Sequence, residues 1–284
     1  MTISQYTRQC MQQLAPVYEE SESRWLMRII LEHIKGWSQT DIMLNSDREA
    51  APELITAIDT IIGRLLRHEP IQYILGTTYW HGLTLKVTPA VLIPREETSE
   101  LVDIIERDYR DTPDLHVLDI CTGSGCIAIA LARSLPFATV TATDISADAL
   151  EVARDNAAAC KTKVSFVIEN ALQPTSLPDS TFDIIVSNPP YIAQSEDKLM
   201  EANVLDYEPH GALFVPDDNP LLFYRSISAN ALKAGRPGSR LYLEINPLYC
   251  SGLCAMLEAD GWADVQSVKD IHGKDRFVTA IHPS

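Results

Sequence analysis

The sequence predicts an α/β chain: a small all-helical segment, a short β-hairpin, and a mostly parallel sheet covered by helices on both faces. Three observations carry this. Apolar residues recur at helical spacing through residues 1–75. From about residue 97, strand-like runs alternate with helical patterns, which is how a parallel sheet reads. The tail, ADVQSVKD and RFVTAIH within 263–282, places two strand patterns in succession with no helix between them.

In the helical segment, WLMRIILEHI pairs Trp25 with Ile29 and Leu26 with Ile30 at i,i+4 spacing. Pro52 opens a second helix, where its missing N–H has no helical partner to lose. Leu54, Ile55, Ile58, Ile61, Ile62, Leu65 and Leu66 give that helix one broad apolar face, and Pro70 ends the pattern. Residues 71–94, with Gly76, Gly82, aromatics and β-branched residues, suggest a hairpin between two domains. The expected boundaries are 1–75 for the helical domain, 76–94 for the hairpin linker and 95–284 for the α/β domain. Within the last, strands are expected at 116–120, 139–144, 163–170, 182–188 and 239–245. Helices are expected from about 97 and over about 125–134, 147–159, 219–233 and 249–260.

Composition narrows the function. The 284 residues are 46% hydrophobic, enough for one large core and a smaller one. The net charge of −16 comes with no basic tract, so the surface repels a phosphate backbone and direct DNA binding is not expected. The six cysteines form no Cys-x-x-Cys pair and have no histidines at metal-ligand spacing. They read as reduced thiols of a cytoplasmic protein, with no metal site. The N-terminus lacks the apolar core of a signal peptide, and no apolar window is long enough to span a membrane.

The run HVLDICTGSGCIAIALA reads as strand, glycine turn and helix start. Gly123 and Gly125 allow close approach of a ligand to the backbone, and the N–H groups of the next helix suit a polar group. The third glycine of a dinucleotide fingerprint is missing, because Ala128 stands there. Asp119 precedes the turn, where a carboxylate repels a pyrophosphate and welcomes an ammonium. That favours S-adenosylmethionine over a dinucleotide. Asp144 ends the next strand, where an acid accepts hydrogen bonds from ribose hydroxyls. Asn170 and Ala171 follow the third strand, at the expected adenine position. The plainer alternatives are a tight turn with an incidental acid at Asp119 and a helix cap at Asp144, with Ser146 competing for the cap.

IVSNPPY ends the fourth strand with Asn188, Pro189, Pro190 and Tyr191. The Asn188 side-chain oxygen and the Pro189 carbonyl can each accept an N–H, and the two prolines bring no donors of their own. A rigid pair of acceptors suits a planar –NH2 group, on which Tyr191 can stack. Fixing both hydrogens orients a poorly nucleophilic nitrogen toward an electrophilic methyl. The structural alternative is an Asx turn capped by prolines.

With these motifs, the chain resembles the peptide-chain release factor glutamine methyltransferases, the HemK or PrmC family. The matching stretches are QYILG (72–76), VTPAVLIPREET (87–98), DICTGSGCIAIALA (119–132), ATDIS (142–146), SNPPYI (187–192), YEPHGALF (207–214), LEI (243–245) and DIHGKDRFV (270–278). The resemblance implies a Rossmann-like, seven-stranded catalytic domain that uses S-adenosylmethionine and releases S-adenosylhomocysteine. It implies methylation of the side-chain amide of the glutamine in the Gly-Gly-Gln loop of class I release factors, and a helical domain that docks them. Asn188 and Pro189 would hold the amide, with Pro190, Tyr191 and Arg95 completing the substrate site. Asp119, Cys121, Thr122, Gly123, Ser124, Gly125, Asp144, Asn170, Ala171 and Asn188 would face the cofactor. The expectation is a monomer.

The chain departs from the family pattern at Glu96, Ser99, Cys121 and Asn246. Cys121 replaces a usual glycine or alanine but is small, and Asn246 replaces a usual glycine but tolerates unusual φ/ψ. Glu96, beside Glu97, bears on peptide contacts near Arg95. Three other readings compete: methylation of another protein's glutamine, a DNA amino-group methyltransferase and a noncatalytic interaction module. The DNA enzyme needs a basic face and a recognition domain. Residues 1–75 hold 7 Lys/Arg against 10 Asp/Glu, the wrong sign for that role.

Overall fold

The computed structural model describes residues 1–283 and forms two compact units. One is Met1–Gly76 together with Glu201–Tyr207; the other is Thr77–Met200 together with the chain from Glu208 onward.

The first unit holds α1 (Ile3–Leu14), α2 (Glu20–Lys35), α3 (Gln39–Leu44), α4 (Pro52–Leu65) and α5 (Ile71–Leu75). Thr2 and Gln5 form a capping box at the start of α1, and Gly36 closes α2 in the left-handed conformation. Leu26, Met27, Ile30 and Leu31 of α2 pack on Leu54, Ile58, Ile62 and Leu65 of α4 in one core. The Leu26–Ile30 pair therefore faces inward, while Trp25 stays 41% exposed. Leu66, at 38%, likewise lies outside the buried face. Residues 71–75 are helical, so the hairpin starts later than residue 71.

In the second unit the hairpin is β1 (Thr77–Trp80) with β2 (Leu83–Lys86). It is not a free tether: Trp80, Leu83 and Leu85 are buried in the main core. Then follow α6 (Glu96–Tyr109), β3 (His116–Ile120), α7 (Cys126–Ser134), β4 (Thr139–Asp144), α8 (Ala147–Ala159), β5 (Val164–Ile168) and β6 (Phe182–Ser187). Two short strands, β7 (Ile192–Ala193) and β8 (Phe214–Val215), pair with each other; between them α9 (Ala202–Tyr207) belongs to the helical unit. The chain closes with α10 (Leu222–Ala234), β9 (Gly235–Glu244), α11 (Cys250–Asp260), β10 (Ala263–Lys269) and β11 (Asp275–Ile281).

The seven-stranded sheet has the order β10-β11-β9-β6-β3-β4-β5. The five strands from β9 to β5 run parallel, and β11 enters antiparallel against β9, as the helix-free tail predicts. Side chains alternate across the sheet with the strand period of two. Val117, Ile184, Val186, Tyr242 and Phe277 face α6 and α7 on one side. Leu118, Ile185, Leu241, Leu243 and Val278 face α10 and α11 on the other. Both faces are apolar, so the strands read as continuous hydrophobic runs. Strand order reverses between β3 and β6, and open α/β sheets bind ligands beyond the carboxyl ends of strands at such a point.

Candidate active site

A cavity of about 420 Å³ opens beyond the ends of β3, β4, β5 and β6. That volume lies within the ordinary range for small-molecule sites, about 300–1,000 Å³. Its wall includes Cys121, Thr122, Gly123, Ser124, Asp144, Asn170, Ala171, Asn188, Pro190 and Arg95, so most residues singled out in the sequence meet in one place.

The turn after β3 is shaped by left-handed backbone. Cys121, Gly123 and Gly125 have φ of 62°, 55° and 81°. Cys121 thus occupies a conformation that favours glycine. A methyl group added at Gly123 would meet nothing within 4 Å, which leaves the backbone open to a ligand. At Gly125 it would meet Ala153 Cβ and Ile129 Cδ1, each at 3.1 Å. Gly125 therefore lets α7 pack against α8 and is set back from the wall.

Three acids support this end. Asp119 is fully buried behind the turn, and its Oδ2 accepts from Thr122 Oγ1 at 2.5 Å and from the Ala128 N–H at 3.2 Å. Its Oδ1 is buried with no hydrogen-bond partner. Burial pushes this carboxyl up to about 7. Asp144 accepts from the Gly123 and Ser146 N–H groups, each at 2.9 Å, and burial raises its pKa too. Ser146 is the cap of α8, its hydroxyl accepting from the Ala149 N–H at 3.1 Å. Asp144 thus joins the glycine turn to the next helix and keeps lone pairs for the cavity. Glu169, which the sequence reading missed, lines the wall and accepts from the N–H groups of Thr175 and Ser176 at 2.9 and 2.8 Å.

The other end is built from side chains distant in sequence. Asn188 Nδ2 donates to Thr98 Oγ1 at 3.2 Å. Thr98 Oγ1 donates to Glu244 Oε2 at 2.7 Å, and the Tyr191 hydroxyl donates to Glu244 Oε1 at 3.2 Å. Glu244 is 1% exposed, and burial raises its pKa against the opposing pull of these hydroxyls and of Arg276. Asn246 Nδ2 donates to the Tyr191 carbonyl at 3.3 Å and to Glu196. The φ of Asn246 is an ordinary −75°, so asparagine serves there for its hydrogen bonds and not for backbone tolerance. Pro189 and Tyr191 are set back from the wall.

Arg95 reaches the wall, but its guanidinium pairs with buried Glu208 at 2.5 Å. Glu208 also accepts from the Ile93 N–H at 3.1 Å, and Trp80 Nε1 donates to the Arg95 carbonyl at 2.7 Å. These bonds hold the loop Ala90–Val91–Leu92, which forms one lip of the cavity. Glu208 lies in YEPHGALF and Arg95 in LIPREET, so one long-range pair explains two separate stretches.

Sheet order, glycine turn and terminal acid define the class: a methyltransferase domain. Residues 98–215 match the "Methyltransferase small domain" family model. A crystal structure of a methyltransferase from Pyrococcus furiosus shares the fold, with a TM-score of 0.54 at 19% identity over 78% of this chain and 98% of that one. Residues 5–76 match the "PrmC N-terminal domain" model. The chain is 44% identical to the release factor glutamine methyltransferase of Bacteroides thetaiotaomicron, over 98% of each chain. It is 41% identical to that of Flavobacterium psychrophilum, again over 98% of each. The chain belongs to the release factor glutamine methyltransferase family.

The site fits S-adenosylmethionine. The open face at Gly123 leaves room for a ligand and Asp144 keeps lone pairs for polar hydrogens in the cavity, while Asp119, with one buried oxygen unpartnered, lies behind the turn and off the wall. All six cysteines are free, and among the described residues no helix is long and apolar enough to cross a membrane.

Proposed function

We propose that this protein methylates the side-chain amide nitrogen of the glutamine in the Gly-Gly-Gln loop of class I release factors, modulating translation termination. The observation that carries the reading is Asn188 at the end of β6, on the cavity wall, with its amide N–H already committed to Thr98. Its Oδ1 is left to accept from a substrate; the Pro189 carbonyl, next in the chain but off the wall, is proposed as the second acceptor. Bound S-adenosylmethionine supplies the electrophilic methyl group.

The chain's own contribution is positional and electrostatic. An amide nitrogen is a poor nucleophile because its lone pair is delocalised. Two fixed acceptors hold its hydrogens, aim it along one line and favour the positive charge that develops during transfer. Asp144 and Glu169, the carboxylates on the wall, are committed to backbone N–H groups at the β4 and β5 ends. Neither stands at the Asn188 end, so the proton leaves the nitrogen for water after the methyl has transferred, without a dedicated base.

Asp144 holds the ribose, Asn170 and Ala171 flank the adenine, and Asp119 with the turn from Cys121 to Gly125 receives the amino-acid end. Arg95 positions the substrate loop through its pairing with Glu208. The helical unit docks the release factor, and the enzyme acts as a monomer in the cytoplasm, where its free thiols stay reduced.

The test is mass spectrometry of a purified class I release factor incubated with this protein and S-adenosylmethionine. The expected result is one added methyl on the Gly-Gly-Gln glutamine. An unmodified glutamine, with the cofactor shown to bind, would reject the substrate assignment.

A further inference from the structure

We infer that Thr98 and Glu244 are positioning residues that fix which end of the Asn188 amide faces the substrate. The inference rests on the amide-clamp reading above and extends it to side chains that do not themselves bind the amide.

Asn188 could present either its oxygen or its NH2 to the cavity, two flips of nearly the same shape. Only the oxygen can accept from a substrate amide. Thr98 decides between them. Its one hydroxyl proton goes to Glu244 Oε2, so toward Asn188 the hydroxyl has only lone pairs to offer. Asn188 must then turn its NH2 to Thr98, which leaves Oδ1 for the cavity. Glu244 is itself fixed as an acceptor, since its other oxygen takes the Tyr191 proton. Its placement is firm as well: it is buried in β9, where Phe277 of β11 is its partner in register, and its backbone carbonyl accepts from Tyr224 OH at 3.1 Å. The direction of every hydrogen bond from Glu244 outward is thus set by one carboxylate. Replacing it with a group that donates, or removing the intervening hydroxyl, lets Asn188 turn its NH2 toward a substrate that is also a donor.

Thr98→Val keeps the shape and removes the hydroxyl, while Thr98→Ser restores it. Steady-state methylation of a release factor is measured for both, beside Asn188→Ala, with S-adenosylhomocysteine affinity as the check on fold and cofactor site. Thr98→Val should lower kcat roughly tenfold to a hundredfold, the scale of a misplaced reacting group. Cofactor affinity should stay within about twofold, and Thr98→Ser should recover most of the rate. Glu244→Gln should also slow transfer, and the Thr98→Val/Glu244→Gln double variant should lose little more than the worse single one, because both act through one chain of bonds.

Wild-type kcat in Thr98→Val, equal losses in the Val and Ser variants, or additive losses in the double variant would overturn the relay. Any of these with Asn188→Ala inactive would leave the amide clamp standing. An active Asn188→Ala would remove the clamp and the relay together.

Discussion

The two ends of the cavity are built in different ways. At the β3–β4 end, acids bond to backbone N–H groups: Asp144 to Gly123 and Ser146, Asp119 to Ala128, Glu169 to Thr175 and Ser176. The partners are close in sequence or on adjacent strands, and the product is a backbone surface of fixed shape. At the β6–β9 end, side chains bond to side chains brought from α6, β6 and β9, with Asn188 and Thr98 separated by 90 positions and Thr98 and Glu244 by 146. One end presents a fixed shape with buried charge, and the other a chain of hydrogen bonds between side chains; the proposed function gives the first cofactor binding and the second substrate orientation. Damage to the first should therefore show in affinity, and damage to the second in rate.

The sharpest test of that division is Asn188→Ala. Loss of one of two acceptors should lower methyl transfer by about a hundredfold to a thousandfold, as removal of a transition-state hydrogen bond does elsewhere. Affinity for S-adenosylhomocysteine, measured by calorimetry, should barely change. A large loss of cofactor affinity would break the division.

Asp144→Ala should do the reverse. Loss of a charged acceptor for the ribose should weaken cofactor binding roughly tenfold to a hundredfold. The rate at saturating cofactor should stay within a few-fold of wild type. Unchanged affinity would remove Asp144 from the ribose site.

Asp119 sharpens the comparison through pH. Its pKa in the free protein is raised to about 7, so the buried carboxyl holds its proton there more firmly than in the unfolded chain. Its contribution to stability is full below the unfolded carboxylate range and is lost as pH rises through about 7. A cationic ligand group needs the ionised form, so affinity moves the other way. Binding should be strongest above pH 7 and weaken by up to about tenfold per unit below it. Titration calorimetry from pH 5.5 to 8.5 checks this, with the window set by that pKa, and Asp119→Asn should flatten the profile.

The smallest effects separate the two glycines of the turn. Alanine at either position costs about 1–2 kcal/mol for the left-handed conformation. Gly125→Ala should lower thermal stability more, because its methyl group meets Ala153 and Ile129, whereas that of Gly123→Ala meets open space. Gly123→Ala should instead act on cofactor affinity. Equal melting temperatures would show that the α7–α8 contact does not constrain the turn.

The same contrast explains what could be read before folding. The strands, the glycine turn, Asp144 and the Asn-Pro-Pro-Tyr run were legible because each depends on neighbours along the chain. Helical and strand periodicity, turn residues and an acid at a strand end are local consequences of backbone geometry. Thr98 and Glu244 gave no such signal, since a threonine near a helix start and a glutamate at a strand end are common. The quoted stretches LIPREET, YEPHGALF and LEI contained Arg95, Glu208, Thr98 and Glu244 without showing that they pair as Arg95–Glu208 and Thr98–Glu244. The inward pair of α2 also needed the fold, because Trp25–Ile29 and Leu26–Ile30 have the same spacing and only packing against α4 decides between them.

The sequence by itself determined the class of fold, the place of the glycine turn and the position of an amide side chain, Asn188, at the end of a strand, because these follow from residue type and short-range spacing. Tertiary structure alone decided that Gly125 serves packing, that Arg95 is tied to Glu208, and which way the Asn188 amide faces. Hydrogen-bond direction depends on which groups remain unpaired after the sheet has assembled, and that is a property of neighbours that only the folded chain supplies.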